Sequence, residues 1–249
     1  RTRLRRRAKP PKISMPKLED EDETPSRRRY FRDLFTRDWE GFTDELAAQE
    51  TCCVAVLCGA VPGNIGSTLR VCALLGVPFL VAIGGLGTAA TDAAIRTSQL
   101  KRRPDWGVSL VTPPADLPAH EVLASLRGAN LRLLGFTAHE GPQGEEVPPV
   151  WEADLTAPRL ALVFGREKDG IPEEAEAMLD ERTTIPMTVP GDEGSLNVSH
   201  AAALAIYERR RQLSFSHPGQ LTLPAEPQRI QSSSKPNGLR SWWQRFLRR

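Results

Sequence analysis

The chain has 249 residues, 40% of them hydrophobic and 26% charged, with a formal net charge of +2. That content allows one large domain, or one medium domain with tails, around a real core. No apolar stretch approaches the ~20 residues that span a bilayer, so a soluble protein is expected. The four cysteines, Cys52, Cys53, Cys58 and Cys72, lack C-x-x-C spacing, and the four histidines complete no ligand cluster. Buried, reduced thiols and no metal site are the expectation.

Residues 1–30 read as a charged tail. Seven basic residues and no acidic one stand in 1–12, an acidic run fills 19–23, and Arg27, Arg28 and Arg29 follow. Such blocks repel themselves and stay solvated; a basic arm can also add affinity for nucleic acid through counterion release. The first residue is Arg1 rather than Met, which points to a processed chain or to part of a longer one. An Arg-rich start fits the remnant of an organellar targeting segment, and the acidic run argues against it. A cytoplasmic protein is expected, an organellar one being the alternative. Residues 31–50 form a helical extension, with Phe31, Leu34, Phe35 and Trp39 at helical spacing.

Strands and helices then alternate through residues 51–215. Continuous apolar runs predict strands at 53–59, 78–85, 107–112, 130–137, 159–165 and 182–187. Helical patterns occupy 66–77, 91–100 with Thr91 as N-cap, 118–128 closed by Gly128, 172–180 with Pro172 first, and 195–213. The alternation predicts an α/β domain with a mainly parallel sheet and helices on both faces. In such sheets ligands bind beyond the carboxyl ends of the strands, so the residues there are read most closely.

Residues 216–249 read as a Pro-, Gln-, Ser- and Gly-bearing linker and then a basic amphipathic helix. Leu239, Trp242, Trp243, Phe246 and Leu247 share its apolar face, among Arg240, Arg245, Arg248 and Arg249. That face suits docking on its own domain or a partner first, RNA second and a membrane surface third.

Three segments at strand ends carry candidate chemistry. Residues 62–77 place Asn64 and Arg70 six apart around a glycine-bearing helix start. Asn64 is expected in the loop before the helix, where its amide can orient an arginine; on this segment alone a helix cap and a surface arginine explain the pair better. Residues 160–172 end a strand in Phe164 and Gly165, followed by Arg166, Glu167, Lys168, Asp169 and Gly170. Ile171 and Pro172 stand where a phosphate-binding loop needs Lys and Ser/Thr, and G-x-G-x-x-G is absent, which disfavours a dinucleotide enzyme. Residues 185–208 run Ile185, Pro186, Met187, then Ser195, Leu196 and Asn197 into the last helix, with Ser195 as its expected cap.

Taken together, in order and spacing, these segments resemble the three signature motifs of the SpoU family of RNA 2′-O-ribose methyltransferases, in the SPOUT superfamily. The matching residues are Asn64, Gly66 and Arg70; Gly165, Glu167 and Gly170; and Ile185, Pro186, Met187, Ser195, Leu196, Asn197, Tyr207 and Glu208. The resemblance covers roughly residues 51–213. Lys168 departs from the pattern, which often has glycine after the glutamate.

The resemblance implies a C-terminal trefoil knot and S-adenosylmethionine (S-adenosyl-L-methionine) as cofactor, held by Phe164, Gly165, Ile185, Met187, Ser195 and Leu196. It implies Arg70 as the catalytic arginine, with Asn64 orienting it or the ribose and with Glu167, Ser195 and Asn197 completing the polar shell. A guanidinium is a poor base, so phosphate binding and stabilisation of alkoxide character are the role expected of Arg70. The resemblance further implies a homodimer, with the knotted surface at the interface and Arg70 reaching across; the small and apolar residues of the last helix, around Ala201 to Ile206, suit such an interface and an intrachain core alike. RNA is the substrate it implies, tRNA ahead of rRNA; a catalytically inactive RNA-binding protein is the alternative from another class.

Overall fold

A computed structural model describes residues 35–100, 107–138, 146–167, 169–188 and 194–216. The predicted charged tail, the linker and the Trp/Arg helix lie outside those residues.

Seven strands form one sheet: β1 (Thr36–Arg37), β2 (Cys52–Cys58), β3 (Phe79–Ile83), β4 (Ser109–Val111), β5 (Arg132–Phe136), β6 (Arg159–Phe164) and β7 (Glu181–Thr183). Their order is β1-β4-β3-β2-β6-β5-β7, and every pairing is parallel. The helices are α1 (Trp39–Ala47), α2 (Pro62–Leu75), α3 (Thr88–Ser98), α4 (Ala119–Gly128), α5 (Glu173–Glu176) and α6 (Val198–Ser216).

The continuous apolar runs are explained by burial on both faces. Cys53, Ala55 and Leu57 of β2 join one core with Ile65, Leu69 and Cys72 of α2, Ala94 of α3 and Ala202 and Ile206 of α6. The alternate residues Cys52, Val54, Val56 and Cys58 join a second core with Phe42 and Leu46 of α1 and Val122 and Leu126 of α4. A strand with a residue period of two and a helix on either side has no position left for a polar side chain. The expected α/β architecture is therefore present.

Several boundaries differ from the sequence reading. The N-terminal segment contributes a strand as well as a helix: β1 pairs with β4, and Asp38 caps α1 by accepting the Gly41 N–H, so the helix starts only at Trp39. Helix α2 starts four residues earlier than expected, because Pro62 supplies a preset φ at its first turn. Asn64 thus lies inside the helix rather than before it. The N-cap of α3 is Gly87, and the Thr91 hydroxyl instead donates to the Gly87 carbonyl at 3.2 Å. Pro172 precedes α5 as its cap rather than opening it, and that helix is one turn long. Strand β7 ends at Thr183, which leaves Ile185, Pro186 and Met187 in the loop beyond it. The last helix begins at Val198, not at Ser195.

Two close contacts position the elements around β2 and β6. Gly66 of α2 sits where a Cβ would overlap the Ala94 carbonyl oxygen, so α2 and α3 cross with no side chain between them. Arg159, at the start of β6, donates to the carbonyls of Leu46 at 3.0 Å and Ala129 at 2.6 Å, and also to that of Gln49. Those carbonyls end α1 and α4, where unpaired acceptors and the negative end of the helix dipole favour a cation.

All four cysteines are free and buried. Burial pushes the Cys53 thiol up to about 11 and those of Cys52 and Cys58 up to about 12, and raises Cys72 as well. No helix among the described residues is long and apolar enough to cross a membrane.

Replacing Arg159 by Met removes three charge-assisted bonds and strands part-buried carbonyls. A loss of about 1.5–3 kcal/mol is expected in urea unfolding with an unchanged m-value. A midpoint indistinguishable from wild type would show that the clamp contributes nothing.

Candidate functional site

The topology turns back at β2 and β6: β3 and β4 extend the sheet to one side of β2, while β5 and β7 lie beyond β6. The carboxyl ends of the strands at such a switch point leave a crevice. Here a cleft of about 210 Å³ opens over the ends of β5 and β6, and it is lined by all six residues read as cofactor contacts: Phe164, Gly165, Ile185, Met187, Ser195 and Leu196.

Its back wall is aromatic. Phe136 at the end of β5 stacks on Phe164 at the end of β6, with ring centroids 4.7 Å apart and planes 20° from parallel. Phe136, Thr137 and Ala138 line the cleft but were not singled out from sequence. The only sequence signal was that Phe136 and Thr137 end a predicted strand and Ala138 follows it.

The wall from β6 to α5 depends on a tight loop. Arg166 and Gly170 exchange both backbone hydrogen bonds, at 2.7 and 3.1 Å. A Cβ on Gly165 would overlap the carbonyl carbon of Gly170 and the amide nitrogen of Ile171. Gly170 closes the turn at φ +67, a region in which a Cβ is costly. The loop therefore needs glycine at both positions, and it points Glu167 out of the strand end.

Glu167 is the point where three segments meet. Its Oε1 accepts from Asn64 Nδ2 at 2.8 Å and from Asn197 Nδ2 at 2.8 Å. Asn197 Nδ2 also donates to Asn64 Oδ1 at 3.0 Å. The other side-chain atom of Asn197, Oδ1, accepts from the Ser199 backbone N–H at 2.9 Å and from its hydroxyl at 2.7 Å. Asn197 is thus the cap of α6, which corrects the expectation for Ser195. Ser195 instead lies at the cleft wall and donates from its hydroxyl to the Glu167 carbonyl at 3.4 Å.

Asn64, Glu167, Ser195 and Asn197 are therefore brought together, next to the cleft. Arg70 is not. Six residues along α2 amount to about 1.7 turns, which carries Arg70 to an exposed face, where Nη1 donates to Gln99 Oε1 at 2.8 Å. Gln99 closes α3 at φ 57. Within its own chain Arg70 does not line the cleft. Among the described residues, no three His, Cys, Asp or Glu side chains gather as metal ligands.

Apolar and aromatic surface on one side, a backbone bared by glycine, and an amide–carboxylate cluster on the other side suit a ligand with both a flat ring and charged ends. The model of the SpoU rRNA Methylase family matches residues 54–207 of this chain. The 23S rRNA (adenosine(1067)-2′-O)-methyltransferase of Streptomyces laurentii is 36% identical over 156 residues, 62% of this chain and 52% of that protein. The tRNA (guanosine(18)-2′-O)-methyltransferase of Thermus thermophilus is 35% identical over 151 residues, 61% of this chain and 70% of that protein. A crystal structure of the SpoU methyltransferase AviRb from Streptomyces viridochromogenes, in complex with the cofactor AdoMet, is similar with a TM-score of 0.54 and 26% identity. The likeness covers 68% of this chain and 64% of that one. The match spans about half the length of the S. laurentii relative.

Gly165→Ala forces the backbone of 166–170 to move and with it the Glu167 carboxylate. Overpacking of this kind costs about 1–3 kcal/mol. The melting temperature is expected to fall by several degrees, and the side-chain amide resonances of Asn64 and Asn197 are expected to shift. Unchanged resonances would mean that the loop does not position Glu167.

Proposed function

The chain belongs to the SpoU rRNA methylase family, and from that premise we propose that it transfers a methyl group from S-adenosylmethionine to a ribose 2′-hydroxyl of RNA. tRNA is the substrate proposed first and rRNA the second reading; relatives named for each are similar to it. The observation that carries the proposal is the convergence of Gly165, the Ile185–Met187 loop and the Ser195–Asn197 turn on one cleft, joined to α2 through Asn64 and Glu167.

The residues present fit the cofactor. Phe164, Ile185, Met187 and Leu196 offer apolar contact to an adenine ring and methionyl carbons, while Gly165 and Ser195 leave backbone and hydroxyl groups for its polar atoms. S-adenosylmethionine, when bound, supplies an electrophilic methyl carbon on a sulfonium. The chain's own contribution is placement, which by itself lowers barriers by many kcal/mol. Asn64 and Asn197 fix the Glu167 carboxylate at the cleft mouth. Arg70, always protonated, binds the phosphate beside the target ribose and stabilises charge developing on its 2′-oxygen.

Since Arg70 faces away from the cleft of its own chain, this role requires a second copy. We propose a homodimer in which Arg70 enters the partner's cleft. Apolar exposure supports it: Leu74 lies one turn beyond Arg70 on α2, and Leu204 and Tyr207 lie one turn apart on α6, all three about half exposed. The proposed trefoil knot is supported by the path of the chain, which leaves the edge strand β7 and returns through Ser195–Asn197 to meet α2 and the β6 loop. Four free thiols fit a reducing compartment such as the cytoplasm.

Arg70→Ala is expected to lower methyl transfer by about 100-fold or more while S-adenosylmethionine binds as before by calorimetry. Mixed dimers of Arg70→Ala and Gly165→Val subunits are expected to regain activity, because one cleft then has both an intact cofactor wall and the partner's arginine. No transfer to total tRNA or ribosomal RNA by the wild type would refute the function, and no recovery in the mixed dimer would refute the shared site.

A further inference from the structure

We propose that Arg166, together with the glycine floor at the carboxyl ends of β2 and β3, binds a backbone phosphate of the RNA. The proposal rests on the function above and adds the side from which the substrate enters.

Arg166 has a rigid root and a loosely held head. Its backbone is locked by the paired hydrogen bonds to Gly170. Its side chain runs over the end of β2, where a Cβ on Gly59 would lie 2.9 Å from its Nε. Its charge is near enough to oppose, in part, the effect of burial on the Cys58 thiol. The guanidinium side chain is 55% exposed, and its one carboxylate among the described residues is Asp169, at 3.9 Å and 73% exposed. A pair so long and so wet contributes little. A phosphate, offering two oxygens to a planar fork of donors, would bind more strongly than that carboxylate does.

The surface beside Arg166 is bare of side chains. Gly59, Gly84 and Gly85 all have positive φ, at 85°, 115° and 70°. They follow the adjacent strand ends Cys58 and Ile83, which are register partners in the sheet. A Cβ on Gly84 would sit 3.6 Å from the Cα of Gly59, so the two strand tips lie side by side. A Cβ on Gly85 would come within 2.8 Å of the Ala115 Cβ, which sets Ala115 at the margin of this floor. All four residues are exposed.

The sheet order separates the glycine floor from the cofactor cleft, and Arg166, which also lines that cleft, stands between the two. The cleft lies over β6 and β5, toward β7, whereas Gly59 and Gly84 lie on the other side of β6, at β2 and β3. Glu167 and Asn64 stand at the boundary, one residue after Arg166 and at the first turn of α2 after β2. A methyl donor on one side and a sugar–phosphate backbone on the other would then meet across that cluster. Arg166 reaches the RNA side.

The test uses the full chain with S-adenosylhomocysteine bound, probed with total tRNA and with a 23S rRNA transcript. For Arg166→Gln, the slope of log affinity against log salt, between about 50 and 200 mM KCl, is expected to become shallower by about 0.7–0.9, one phosphate's worth. Affinity should weaken by about three- to tenfold. Arg166→Lys should keep the slope, and Ala115→Glu, a surface change, should weaken RNA binding without Arg166 being touched. S-adenosylmethionine affinity should stay within about twofold of wild type in Arg166→Lys and Ala115→Glu. An unchanged slope in Arg166→Gln, or a loss confined to cofactor affinity, overturns the proposal. Absence of methyl transfer by the wild type would sink the function alone, since the slopes report the phosphate contact without turnover.

Discussion

One carboxylate oxygen carries this architecture. Glu167 Oε1 accepts two side-chain amides, one from α2 and one from the start of α6, across 103 and 30 residues of sequence. A carboxylate is an acceptor only, and an amide nitrogen offers two donors. Two asparagines can therefore converge on one glutamate, and the second N–H of Asn197 still reaches Asn64. Hydrogen bonds to an ionised group are about twice as strong as neutral ones. The three residues tie together the start of α2, the loop after β6 and the cap of the last helix.

That cluster places two demands on α2. Its first turn must meet Glu167, and its body must pack against both α3 and the sheet. The Gly66 contact with Ala94 brings α3 close, and Ile65, Leu69 and Cys72 enter the core. What remains is an outward stripe that bears Arg70 and Leu74. Helical geometry thus assigns Asn64 to the Glu167 cluster beside the cleft of its own chain and Arg70 to a different surface. A reaction that needs both groups at one ribose needs two copies of the helix, and the proposed dimer follows from rotation about a single helix axis.

The loop after β6 shows how few residues set the two sides of the site apart. Gly165 lets the chain double back on itself, so that Glu167 faces the amides while Arg166 lies over Gly59. Both residues line the cleft, and Arg166 also borders the surface beyond it, which differs in character. Stacked phenylalanines and apolar loop residues line one, and bare backbone next to a cation forms the other.

The parallel α/β architecture was legible in the chain because strands buried on both faces, such as 53–58 and 160–164, must be apolar at every position. The cleft residues were legible because glycine, Ile-Pro-Met and Ser-Leu-Asn sit at strand and helix ends, where such sheets bind ligands. Helix starts were read less well. Pro62 and Asn197 compete with Gly66 and Ser195 as end signals, and only the backbone path shows which side chain reaches a free N–H. Little local marks the roles of Phe136, Gln99 or Arg166 beyond a place at an element's end, since their partners come from other elements. Sequence by itself determined the layers and the kinds of residue at the strand tips, because those follow from burial and from period. Only the tertiary structure decided that Asn64 meets Glu167 while Arg70 turns away, because that choice depends on where α2 begins and how it is rotated against the sheet.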